Sequence, residues 1–358
     1  MESIESISKR ESKWLNALRG LAALSVVTVH FGQIFAKNAT VKRFETFTNH
    51  GKHGVALFFV LSAYLLTNKL KNKTIDIHRY KNFIIKRFFR IYPAYFICLL
   101  ILQLFYNYDF NQFFSHLLLL HFMNARLFGG IDYPFWSLGI EFWFYALLPF
   151  ILLVQRKTKV NYLIIFSFFI GLAWESLAGL ARIHFHFDQN YNWSSRFFLI
   201  TSLPAFALGI SGALQKSFGK LVDKIILLGA LIAIIDIFVG ALPECVRVIA
   251  ILHSISNFAF KGSLGFLVYG CLSLFLIRKV PKPNKIMDVV IGIFSKIGRF
   301  SFSLYLWHVP IFLFISKNYG TSFRFQVLSI FAASIFGYVS YYLIEKPMLI
   351  FSTNKFRY

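Results

Sequence analysis

Two residues suited to anion binding and proton transfer stand in the first apolar run of the sequence. Arg19 and His30 lie eleven positions apart in that run. Eleven helical steps of about 100° complete three turns plus about 20°, so both side chains share one face, about 16 Å apart along the axis. Ionisable groups at membrane depth are costly and normally face a bundle interior or a wet cavity. The pair is predicted to begin an active site; a snorkelling arginine beside a packing histidine is the alternative.

A second basic group precedes a later apolar run. Arg87 and Arg90 are three positions apart and share a helix face. Guanidinium groups bind phosphate oxygens through two parallel donors, which ammonium groups cannot do. The spacing predicts a phosphate clamp, and an ordinary basic flank of a membrane span is the alternative.

Two further ionisable residues lie within apolar and aromatic surroundings. Glu141 stands a turn or so inside the run that begins at Trp136, where a carboxylate needs a partner, and a histidine is a good candidate. A structural link between helices is the alternative for Glu141. His308 is a second histidine at membrane depth, flanked by aromatic residues that could pack against a cofactor arm or a sugar. Glu345, before Lys346, is interpreted as a structural feature of a helix end.

The elements that must position these residues are membrane helices. Hydrophobic residues make up 57% of the 358 residues, and 45 of them are phenylalanine, so a water-soluble fold would lack polar surface to cover its core. We predict an all-α polytopic integral membrane protein, one domain over 1–358 with short tails at 1–13 and 351–358. About ten transmembrane helices are predicted, near 14–36, 54–70, 88–106, 136–154, 160–180, 197–215, 225–242, 261–278, 300–316 and 325–350.

The formal charge of +23 is distributed between the apolar runs. Nucleic-acid binders gather basic residues on an exposed stripe, so this pattern argues against nucleic acid and for the positive-inside rule. Lysine and arginine residues are in excess in the segments on the same side as the two termini, which predicts that both termini are cytoplasmic. The same basic side is expected to attract membrane lipids or an anionic cosubstrate. Cys98, Cys245 and Cys271 lack ligand-like spacing, so no disulfide framework and no metal site is expected.

Five blocks in order resemble the membrane acyltransferase 3 family, whose members O-acylate carbohydrates and other acceptors. The blocks cover nearly the whole chain: the Arg19 to His30 span, Phe58–Tyr64, Arg87–Pro93, Trp136–Glu141 and Ser303–His308. Two positions depart from the family pattern: Ala63 replaces a usual glycine, and Phe142 stands where a second carboxylate often follows Glu141. A mechanism that needs two adjacent carboxylates is therefore in doubt for this chain.

The resemblance implies a ten-helix bundle in the bacterial inner membrane, acetyl-coenzyme A (acetyl-CoA) as donor and a carbohydrate or glycolipid acceptor such as O-antigen, capsule or exopolysaccharide. Arg19, Arg87 and Arg90 are expected to bind the donor phosphates. His30 is expected to act as general base or covalent acyl carrier, with Glu141 or His308 completing the site. A lipid-linked glycan flippase or other secondary transporter, and a structural partner of polysaccharide assembly, are the rival functions.

Overall fold

The computed structural model describes residues 8–35, 49–123, 127, 130–185, 198–241 and 262–356. These ranges are helical and contain no β-strand. The α-helices are α1 (Lys9–Phe35), α2 (Gly54–Leu70), α3 (Ile77–Tyr106), α4 (Phe110–Leu117), α5 (Trp136–Gln155), α6 (Val160–Phe185), α7 (Leu199–Leu214), α8 (Lys220–Ala241), α9 (Gly262–Arg278), α10 (Lys285–Arg299), α11 (Ser301–Tyr319), α12 (Phe323–Ser340) and α13 (Lys346–Lys355). The all-helical prediction is confirmed for this part of the chain.

Six helical stretches are long and apolar enough to cross a bilayer, and their number makes this a multi-pass membrane protein. They are Lys9–Phe35, Gly51–Leu70, Ile77–Tyr106, Tyr133–Gln155, Val160–Phe185 and Phe323–Lys355. A seventh is counted if α10 and α11, which meet at a bend of 70°, form one span. The apolar helices α7 and α9 have 16 and 17 residues, fewer than the about 20 of a typical span. The predicted number of about ten is thus not reached among the described residues. Cys245 and the rest of the segment 242–261 before α9 lie outside them.

Helix α1 packs against α2, α10 and α11. Its contact with α10 is made by glycine on both sides. A Cβ atom on Gly20 would overlap the carbonyl oxygen of Phe294, and one on Gly298 would overlap the carbonyl oxygen of Asn16. Small residues let membrane helices approach this closely. Because of this contact, the turn of α1 that carries Arg19 packs directly against the backbone of α10.

Helix α10 falls between two predicted spans, where sequence reasoning placed only a connection. Asn284 caps it by accepting from the backbone amides of Ile286 and Met287. Arg10 ties its first turn to α1 through an ion pair with Asp288, with 3.1 Å between nitrogen and oxygen. The asparagine followed by apolar residues at helical spacing was the available signal for this helix.

Helix α3 begins well before the predicted span at 88. Asp76 caps it by accepting from the backbone amide of Arg79. Arg87 and Arg90 therefore stand inside a continuous helix, about three turns from its start, rather than at its entry. Their orientation is consequently set by the packing of α3 against its neighbours.

Replacing Gly298 with alanine tests the contact between α1 and α10. The added methyl group must push the two backbones apart, which we expect to lower the free energy of unfolding by about 1–3 kcal/mol. Thermal unfolding of the purified protein in detergent measures this. Gly292→Ala on the same helix is the control, because its Cβ would meet only the end of the Lys13 side chain, at 3.6 Å. Equal midpoints for the two variants would contradict the glycine contact.

Candidate active site

The two predicted intramembrane histidines meet. His30 on α1 and His308 on α11 are joined by a hydrogen bond of 2.8 Å between His30 Nδ1 and His308 Nε2. His308 is completely buried, whereas His30 is partly exposed. His30 is therefore the member of this histidine pair that a substrate can reach, and His308 lies behind it.

The hydrogen bonds of the histidine pair determine which nitrogen carries each proton. His308 Nδ1 lies 2.6 Å from the carbonyl oxygen of Tyr305, which can only accept, so Nδ1 is the donor. In an uncharged ring His308 Nε2 must then accept, and His30 Nδ1 must donate to it. The Nε2 atom of His30 is left with a free lone pair. Backbone carbonyls commonly fix histidine tautomers in this way.

Aromatic side chains contact both members of the histidine pair. Tyr133 meets His30 edge-on, with 6.3 Å between ring centroids, and Tyr305 and Phe312 lie 5.6 and 5.9 Å from His308. The Tyr305 hydroxyl is 2.8 Å from the carbonyl oxygen of Pro134, to which it donates. The 3₁₀ turn Tyr133–Phe135 is thereby held against α11 on one side of the pair.

Three predicted donor-binding residues form a second group, the arginine cluster of Arg19, Arg87 and Arg90. Arg19 interacts electrostatically with Arg90 and with the carboxylates of Glu141 and Glu345. Its Nε is buried and has no hydrogen-bond partner among the described residues. The guanidinium of Arg87 lies 5.9 Å from the centroid of Tyr145, within reach of a cation–π contact. The cluster thus draws α1, α3 and α5 together.

Glu141 belongs with the arginine cluster rather than with the histidine pair. Its Oε1 accepts hydrogen bonds from the hydroxyls of Ser62 and Tyr145, each at 2.5 Å. These are the hydrogen bonds that the described residues make to it, and neither comes from a histidine. The histidine partner considered for Glu141 is therefore not found, and Ser62 joins the site as a residue to which sequence reasoning assigned no role.

Glu345 is a second residue, besides Ser62, to which sequence reasoning assigned no part in the site. It lies in the π-helical turn Tyr341–Glu345, and its side chain is completely buried. One oxygen pairs with Arg90 at 2.8 Å, and the other accepts from Ser303 at 2.8 Å. Single π-helical turns are frequent at functional sites. The signal for this ion pair was that Glu345 is a lone acid after an apolar run. Sequence reasoning interpreted this acid only as part of a helix end.

The fold and site define a multi-pass membrane protein in which one helix, α1, contributes Arg19 to an arginine cluster and His30 to a histidine pair. Comparison with known proteins adds the family. The chain belongs to the family described as an acyltransferase domain, whose model matches residues 12–345. No solved structure matches the chain significantly.

Individual relatives extend the comparison. The chain is 24% identical to the peptidoglycan O-acetyltransferase OatA of Listeria monocytogenes, over 97% of this chain and 57% of the relative. It is 28% identical to a putative O-acetyltransferase of Staphylococcus aureus, over 93% and 56%. A putative acetyltransferase of the Acidianus two-tailed virus matches at 26%, over 82% and 81%. The chain thus spans little more than half the length of the first two relatives.

Replacing Arg90 with alanine tests the buried ion pair. Glu345 would be left buried without its charge partner, and we expect the free energy of unfolding to fall by about 3–5 kcal/mol. The double variant with Glu345→Gln should recover most of this loss, because the glutamine carries no charge. Thermal unfolding in detergent is the measurement. Arg79→Ala on the same helix is the control, since its ion pair with Asp76 is exposed and should be worth no more than about 1 kcal/mol. Unchanged stability of Arg90→Ala would refute the pairing.

Proposed function

We propose that this chain is a membrane O-acyltransferase that moves an acetyl group from cytoplasmic acetyl-CoA to a hydroxyl of a cell-surface or exported carbohydrate. The observation that carries the proposal is the hydrogen bond between His30 and His308, which leaves a basic nitrogen on the helix that also bears Arg19. Family membership and the O-acetyltransferase names of its relatives support the reaction class.

The arginine cluster is assigned to the phosphates of the donor. The buried Nε of Arg19 lacks a partner among the described residues, and burying such a donor is costly unless a ligand completes it. Arg90 pairs with Glu345 through one nitrogen, and a guanidinium with five donors can bind a phosphate at the same time. The pantetheine arm would then follow α1 for the about 16 Å that separate Arg19 from His30.

His30 Nε2 performs the proton transfer in this proposal. It takes the proton of the acceptor hydroxyl while the hydroxyl oxygen attacks the thioester carbonyl. When the carbon–sulfur bond breaks, the thiolate of coenzyme A leaves and receives that proton. His308 Nε2 accepts from His30 Nδ1 throughout, which stabilises the imidazolium. A two-step route, with His30 Nε2 as nucleophile and an acyl-histidine between the steps, uses the same lone pair.

The remaining groups serve the donor side. Glu141, held by Ser62 and Tyr145, offsets part of the charge of the arginine cluster and is a positioning residue for it. A bundle of about ten spans in the bacterial inner membrane, with both termini cytoplasmic, completes the proposal, because it sets the arginine cluster at the inner surface and the histidine pair deeper in the membrane.

Replacing His30 with alanine tests the function directly. We expect acetylation of the acceptor in cells to fall by about 10²–10⁴-fold, the contribution typical of a general base. Binding of coenzyme A to the purified variant should be unchanged, since the arginine cluster is intact. His184→Ala is the control, because this histidine is exposed at the end of α6. Near wild-type acetylation by a His30→Ala variant that accumulates normally would overturn the catalytic assignment.

Two substitutions of His308 test the hydrogen-bond chain. Glutamine can still present an oxygen acceptor to His30 Nδ1, whereas alanine cannot. We expect His308→Ala to lower the rate by about 10–100-fold, as loss of an orienting partner commonly does, and His308→Gln to lower it less. Adding His308→Ala to His30→Ala should cause little further loss, because the pair acts as a unit. The measurement is the acetylation rate at matched protein levels. If the losses caused by the two substitutions were fully additive, the hydrogen bond between His30 and His308 would have no role in catalysis.

A further inference from the structure

Helix α10 presents an exposed apolar face that the proposed reaction does not use. Four of its apolar side chains, Ile286, Val289, Val290 and Ile293, are 40–78% exposed. Helical steps of about 100° place these four side chains within about 100° of one another around the helix axis. They are called the apolar face of α10 here.

A second exposed face of α10 is cationic. Lys285, Lys296 and Arg299 are exposed, and they run from the first residue of the helix to the last. The two lysines are eleven positions apart, about 20° around the axis, and Arg299 lies about 60° from Lys296. In the described part of the chain none of the three makes a hydrogen bond or an ion pair. Asp288, the one acid of α10, is paired with Arg10, so this cationic face keeps its charge.

The remaining side of α10 holds the helix to the bundle. Its buried residues are Ile291, Ser295 and Gly298, and Gly298 packs against the backbone of Asn16 on α1. Helix α10 also meets α11 at a bend of 70°, so it does not continue in the direction of that helix. The apolar face and the cationic face are therefore both turned toward the surroundings of the protein.

A boundary between lipid and water is the environment that suits both faces. In hydrocarbon the cations along the whole helix would be costly, and in water the apolar face would stay exposed. Helices with one apolar and one basic face lie in the membrane interface, where anionic headgroups attract lysine and arginine. We propose that α10 is an interfacial helix, with its apolar face among lipid tails and Lys285, Lys296 and Arg299 on the phosphates of anionic lipids.

Fluorescent labels test where α10 lies. The full chain is placed in lipid nanodiscs with a label on Val290→Cys or on Lys296→Cys, which are about 120° apart around the helix. Unsubstituted protein gives the labelling background, which should be low for Cys98 and Cys271 because both are buried. Nitroxides on lipid tails should quench the Val290→Cys label several-fold more than the Lys296→Cys label, and aqueous iodide should do the reverse. If both labels respond alike to each quencher, α10 is not interfacial.

The charge of the lipid tests the cationic face. Thermal unfolding of the full chain is followed in detergent micelles that contain either phosphatidylglycerol, which is anionic, or phosphatidylcholine, which has no net charge. The test variant replaces Lys285 and Lys296 with glutamine. The matched control replaces Lys157 and Lys159, two exposed lysines in the connection between α5 and α6.

The expected result is a stabilisation that depends on lipid charge and on α10. Phosphatidylglycerol should raise the wild-type midpoint more than phosphatidylcholine does, because a ligand of the folded state stabilises it. The test variant should lose about half or more of that difference, since two of three cations of the face are gone, and the control should keep it. Equal midpoints in the two lipids, or an equal loss in both variants, overturns the contact with anionic lipid.

Discussion

The cost of holding charge inside an apolar bundle governs this structure. An uncompensated charge at membrane depth is expensive, so each ionisable side chain of the site must find a partner on another helix. Glu345 pairs with Arg90, Glu141 accepts from Ser62 and Tyr145, and the histidines bond to each other. These polar contacts join helices whose remaining surfaces are apolar. The polar contacts of the site are therefore also contacts between packed helices, so a change to the site also changes the packing of the bundle.

The division of the site into two groups follows from that arrangement. The arginine cluster needs carboxylates close by, because three guanidinium groups together would repel one another. The histidine pair needs no counter-charge, since each ring can satisfy its neighbour while uncharged. Glu141 lies with the former group, although a histidine was a reasonable partner for it on sequence grounds. In the proposed reaction, the charged donor and the uncharged hydroxyl would thus use chemically different places along α1.

Sequence reasoning predicted the local features well and the contacts between helices poorly. Apolar length alone placed the helix at 54–70, and the structure has Gly54–Leu70. The contact between His30 and His308 joins residues 278 positions apart, and hydrophobic periodicity carries no information on which helix faces meet. Glu345 does lie at a helix end, as predicted, but its ion pair was not foreseen for the same reason, because Arg90 lies on a helix distant in sequence. Helix α10 was missed since its charged residues break the apolar run that marks a span.

Arg19 and His30 lie on one uninterrupted helix, α1, which fixes the distance between them. Their separation depends on the number of residues between them and hardly on which residues these are. Each residue added to or removed from this stretch would shift one end by about 1.5 Å and turn it by about 100°, so the two side chains would no longer share a face. For the proposed reaction, one apolar residue in this stretch can therefore be exchanged for another, whereas an insertion or deletion would misalign the donor site and the base.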